Sequence, residues 1–284
     1  MRLNPFDASR INVGGGGGGG FPGGAGGGLG CGTIVIALIA AVVFGVDPTS
    51  MLGGMQGAPT TVQQGDGSPQ SVQELCTANP YATEACNALQ SLDQTWQPAF
   101  AAANIPFKQP RLWFISGGGV NTRCGAASSA MGPFYCPADQ TIYIDTAFYD
   151  QLDRQLGARG DFARYYVIAH EYGHHIQTIT GVADAIRSAQ SQNPRAANQL
   201  QVRMELQADC YAGVWAGKNR NLIEPGDFEE GMTAASAIGD DALTGGRVSS
   251  ENFTHGTSAQ RSEALRAGMQ SGDDTVCDRY VQVG

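Results

Sequence analysis

The segment DFARYYVIAHEYGHHIQTITG, residues 161–181, constrains this chain more than any other stretch. It holds three of the protein's four histidines within the six residues HEYGHH. Asp161, following Gly160, reads as an N-cap, and Gly181 reads as a C-terminal stop, so the segment is expected to form one helix. On a helix, His170 and His174 stand at i and i+4, and both imidazoles project from one face. That is the spacing of two metal ligands in H-E-x-x-H. Glu171 is offset by one residue, so its carboxylate can reach a water beside the metal without binding the ion. His175 is rotated about 100° from His174 and is expected to support or pack against the ligands. Gly173 costs about 1 kcal/mol relative to alanine in a helix interior, which points to a close backbone approach there.

Two imidazoles hold zinc poorly, because catalytic sites use three protein ligands and leave one position open. The residue six past His174 is Thr180, so the longer HExxHxxGxxH pattern is absent and the third ligand must come from elsewhere. MELQADCYAG supplies a candidate. Glu205 and Asp209 share a face of the next long helix, where Glu205 would complete a His₂Glu set. Asp209 would accept a hydrogen bond from the outer nitrogen of a ligand imidazole, fixing its tautomer. Taken alone, this segment reads equally well as a solvated acidic face; HEYGHH favours the metal role. Cys210 lies about 140° around the helix from Glu205, which makes it a disulfide candidate and not a ligand.

HEYGHH followed by ELQAD resembles the gluzincin metallopeptidases. More narrowly, MRLNPF, GPFYCPADQTIYID, HEYGHHIQ, ELQADCYAGVWA and THGTSAQR resemble the bacterial neutral zinc metallopeptidases, chiefly over residues 111–261. The resemblance implies a membrane-anchored, zinc-dependent endopeptidase that acts on protein or peptide substrates. In that chemistry Glu171 takes a proton from water and passes it to the leaving amine. His255, the one histidine outside the helix, precedes a capping box formed by Thr257 and Gln260. It is the candidate oxyanion donor, weighed evenly against an ordinary loop histidine. QTIYID suits an edge strand that would hold an extended peptide, and suits a core strand equally. Two other functions stay open: a membrane-anchored assembly or chaperone-like protein with this fold, and a zinc amidohydrolase acting on non-peptide amides. Structural zinc sites are closed by four protein ligands, and Glu171 would have no purpose in one.

The remainder of the 284 residues sets the context. A formal net charge of −9 argues against nucleic-acid binding, which needs a basic surface. Many of the forty glycines cluster in a low-complexity tract near the N-terminus. Residues 29–46 follow, free of charge and just long enough to span a bilayer. They are expected to form an uncleaved signal anchor, since about thirty residues ahead of the apolar run is long for a signal peptide. Arg2 and Arg10 precede the run, and the next basic residue is Lys108. The positive-inside rule therefore predicts a single pass with the N-terminus cytoplasmic and the catalytic domain periplasmic or extracellular. Cys31 lies in the run; the other six cysteines suit an oxidising compartment, and six allow fifteen connectivities. The expected pairs are Cys76 with Cys86, Cys124 with Cys136, and Cys210 with Cys277. The expected organisation is a Gly-rich cytoplasmic segment 1–28, an anchor 29–46, a linker 47–70 and a metallopeptidase domain 71–284. That domain reads as α+β, mainly helical and zincin-like, with a small antiparallel sheet: a few strands (RLWFIS, QTIYID) precede many helices.

Overall fold

The structure is a computed structural model that describes residues 1–16, 69–116 and 118–282. The expected anchor, 29–46, lies outside the described residues, as does nearly all of the linker. Among the described residues no helix is long and apolar enough to cross a membrane. In chain order the elements are β1 (Val13–Gly16), α1 (Pro69–Cys76), α2 (Pro80–Ala102), β2 (Arg111–Ile115), β3 (Gly119–Thr122), β4 (Gly125–Ser128), β5 (Phe134–Cys136) and β6 (Thr141–Ile144). Helices α3 (Phe148–Arg154), α4 (Asp161–Ile179), α5 (Val182–Gln192), α6 (Ala197–Lys218), α7 (Asp227–Ala237), α8 (Asp240–Leu243) and α9 (Ser258–Ser271) complete the set. Strands followed by many helices make an α+β fold.

The main sheet has the order β1-β2-β6-β5, with β1, β2 and β6 parallel and β5 antiparallel to β6. The expected antiparallel sheet is corrected on this point. Only the separate β3–β4 pair is antiparallel throughout. Strand β6 is paired on both sides and wholly buried, so QTIYID is a core strand and not a peptide-binding edge.

The expected Gly-rich cytoplasmic segment 1–28 is corrected over its described part, because residues 1–16 belong to the folded body. Val13 is buried, and β1 pairs along β2 from Val13↔Leu112 to Gly16↔Ile115. The glycines are required there: a Cβ on Gly14 would strike the Arg111 and Trp113 side chains, and one on Gly15 would lie 2.7 Å from Leu75 Cδ2. Trp113 Nε1 donates to the Gly16 carbonyl at 3.1 Å. At the chain start, the Met1 α-ammonium donates to Asp227 Oδ1 at 2.7 Å and Asp161 Oδ1 at 3.1 Å. The fold thus joins in one body residues that the expected single-pass topology would separate.

Helix α4 is the centre of the molecule. Most of its residues are buried, and it packs against α2, α6, α7 and α5. The reason for Gly173 is now physical: a Cβ there would sit 2.8 Å from Ala208 Cα and 2.9 Å from the Ala208 carbonyl, so α4 and α6 touch backbone to backbone. Asp161 is the first helical residue and not the N-cap, because its carboxylate is turned to the Met1 ammonium. The Glu230 carboxylate from α7 accepts the Phe162 N–H at 3.0 Å instead. Gly181, left-handed with φ 80°, joins α4 to α5. Disulfides link Cys76 to Cys86, Cys124 to Cys136 and Cys210 to Cys277, the three expected pairs.

Candidate active site

The contact at Gly173 and Ala208 lets α4 and α6 bring their polar side chains within bonding distance. His170 Nε2 lies 3.2 Å and His174 Nε2 3.5 Å from Glu205 Oε2. A tetrahedral zinc ion with Zn–N and Zn–O bonds of about 2.0–2.2 Å separates its ligand atoms by roughly 3.3–3.5 Å. Both distances to Glu205 Oε2 are close to that separation, and the three donor atoms all lie within 4.8 Å of one another. All three side chains are largely buried, and Gln201 Nε2 holds the other oxygen, Glu205 Oε1, at 2.8 Å.

Both imidazoles are held by Nδ1, which leaves Nε2 for the metal. His170 Nδ1 is 2.7 Å from Asp209 Oδ1. Asp209 is itself enclosed: Tyr166 Oη donates to Oδ1 at 2.5 Å, and Arg261 donates through Nε to Oδ2 at 2.8 Å and through Nη2 to Oδ1 at 2.9 Å. Burial alone would raise the Asp209 carboxyl, but the Arg261 guanidinium and His170 bring it down to about 2. Glu205 behaves alike. Burial opposes its charge, yet His174 and His170 hold it well below the usual carboxylate range. Burial would lower the His170 imidazole, but Asp209 and Glu205 raise it to about 9. Protons and a metal ion must therefore compete for this site. His174 Nδ1 is 2.8 Å from Gln177 Oε1.

Glu171 is 9% exposed, on the same turn as the ligands but off their face. Burial pushes its carboxyl up against the lowering influence of the two imidazoles, the direction a general base requires. His175 faces away and is fully buried. Its Nε2 donates to the Lys108 carbonyl at 2.6 Å, and Tyr135 Oη donates to its Nδ1 at 3.1 Å. Burial lowers its pKa to about 4, so it is a neutral packing histidine.

His255 enters from the loop before α9, where Thr257 and Gln260 form the expected capping box. Asp240 orients the ring. Its Oδ1 lies 3.1 Å from His255 Nδ1, and its Oδ2 accepts the backbone N–H of Thr254, His255 and Gly256 at 2.7–3.1 Å. This leaves Nε2 as the edge available to a ligand. Asp240, Arg261, Tyr166 and Gln177 have no place in the sequence reading. Arg261 and Gln177 lie inside THGTSAQR and HEYGHHIQ, but no spacing rule ties either to a metal. Asp161, Asp227 and Glu230 form a second group of converging carboxylates, and the first two accept from the α-ammonium group of Met1.

Residues 4–280 match the family described as "Putative neutral zinc metallopeptidase". The chain belongs to that family. It is 43% identical over 257 residues to YpfJ of Escherichia coli K12, covering 87% of this chain and 85% of the relative. It is 41% identical over 206 residues to Mb2605 of Mycobacterium bovis, covering 67% of each. Both relatives are described as uncharacterized. No solved structure matches. Zinc is the metal of this metallopeptidase family, and two imidazoles with one carboxylate make up a catalytic zinc donor set.

Proposed function

We propose that this metallopeptidase-family protein hydrolyses peptide bonds with zinc held by His170, His174 and Glu205. One observation carries the reading: two imidazole Nε2 atoms and one carboxylate oxygen converge at 3.2 and 3.5 Å, with both rings already oriented through Nδ1. Zinc bound there would supply Lewis acidity, making water acidic near neutral pH and polarising a carbonyl. Glu171 accepts the proton of the attacking water and hands it to the departing amine. His255, as an imidazolium held through Nδ1 by Asp240, donates from Nε2 to the carbonyl oxygen as negative charge grows on it. Asp209 keeps the His170 ring turned toward the metal, and Arg261 keeps Asp209 ionised.

We further propose that the folded body lies outside the cytoplasm, in the periplasm or beyond, and is membrane-associated through residues 29–46. The three disulfides support an oxidising compartment. Zinc analysis of the purified protein, with a peptide-library digest of wild type beside Glu171→Gln, tests the activity. The variant keeps size and hydrogen bonding but loses the proton acceptor, so zinc should remain while hydrolysis falls at least roughly 10²-fold. Turnover unchanged by Glu171→Gln sinks the mechanism. Cleavage of simple amides but no peptide in the library favours an amidohydrolase.

A further inference from the structure

We infer that Gln177 is a positioning residue for the zinc ligand His174, setting its tautomer and locking it in register with Glu205. The inference rests on the zinc-site reading above. Gln177 is completely buried, one helical turn after His174 on α4. Its amide has one acceptor oxygen and a nitrogen with two donors. Nε2 donates to the Met204 carbonyl at 2.7 Å and to Gln207 Oε1 at 3.1 Å. A backbone carbonyl cannot donate, so the Met204 contact decides which end of the amide is nitrogen. The other end, Oε1, then faces His174 Nδ1 at 2.8 Å. An acceptor there requires Nδ1 to carry the proton, which puts the lone pair on Nε2, the atom 3.5 Å from Glu205 Oε2. Turning the amide over would set its oxygen against the Met204 carbonyl, acceptor to acceptor.

Met204 also immediately precedes Glu205. The same side chain therefore grips α6 at the third ligand and α4 at the second. The two imidazoles end up with unlike partners: a guanidinium-backed carboxylate for His170 and a neutral amide for His174. A glutamate at 177 would set a carboxylate against the Met204 and Gln207 oxygens, so the neutral amide suits this position.

The test uses the full chain loaded with zinc. In wild type, nitrogen-15 NMR of the imidazoles should find His174 protonated at Nδ1 and metal-bound at Nε2. Metal binding through Nδ1 would overturn the inference, whatever the variants do. Gln177→Met keeps length and removes the amide. By chelator competition it should bind zinc roughly 10- to 100-fold more weakly, and its cobalt-substituted form should show an altered visible spectrum. Gln207→Met, which spares the Met204 contact, should lose at most about a tenth as much affinity as Gln177→Met. Zinc affinity within twofold of wild type and an unchanged cobalt spectrum in Gln177→Met would also overturn it. A wild-type protein that takes up no zinc removes the zinc-site reading itself, an outcome distinct from both.

Discussion

Replacing Arg261 by methionine isolates a charge pair buried beneath the metal ligands. Arg261 is 2% exposed and Asp209 fully buried, and the two share bonds of 2.8 and 2.9 Å. Removing the guanidinium leaves the Asp209 carboxylate with Tyr166 and His170 but without the two bonds and the charge of Arg261. Breaking a buried pair from one side costs about 3–5 kcal/mol. For a folded body of this size, 1 kcal/mol corresponds to roughly 2–4 °C, so Arg261→Met should melt roughly 6–20 °C lower. The assay is a thermal melt with chelator present, so that metal binding does not enter. Adding Asp209→Asn should recover most of the loss, because the orphaned charge disappears with its partner. A single variant that loses less than about 1 kcal/mol, or a double variant no more stable than the single, refutes the reasoning.

Three further outcomes follow from the same geometry. Glu205→Ala should lose most of the bound zinc, whereas Asp209→Ala should weaken zinc affinity or activity roughly 10- to 100-fold without abolishing either; equal and small losses in metal analysis would remove Glu205 as the third ligand. His255→Ala should lower kcat by roughly 10²- to 10³-fold with zinc retained, and Asp240→Asn should give part of that loss; full activity in His255→Ala removes the oxyanion role. Asp93, buried between Tyr172 Oη at 2.7 Å and Gln109 Nε2 at 3.0 Å, is pushed up by burial to about 7. The unfolded chain releases this proton near 3.8, so between there and about 7 the native state holds more protons and stability falls as pH rises. Asp93→Asn should remove that slope, gaining on wild type between pH 5 and 8 in urea unfolding; parallel curves would contradict it.

The ligand set is legible in the sequence because helical periodicity alone puts His170 with His174 and Glu205 with Asp209 on single faces. The disulfides follow from pairing neighbours, since short loops bring Cys76 near Cys86 and Cys124 near Cys136. The residues that orient the site are different. Arg261 reaches Asp209 across 52 residues, and Asp240 reaches His255 across 15, contacts that no local period encodes. Gln177 is local, but an amide one turn past a histidine carries no metal signature. The strand Val13–Gly16 is hidden for the opposite reason. Three of its four residues have no side chain to alternate, so the start of a glycine tract conceals a strand that a neighbouring tryptophan needs flat.

That strand has a consequence for topology. Residue 16 leaves the sheet edge beside the helix that begins at residue 69, with Leu75 lying over Gly15. Residues 1–16 and the helices that carry the histidines thus form one folded body. The amino terminus therefore lies on the same side of any membrane as His170 and His174.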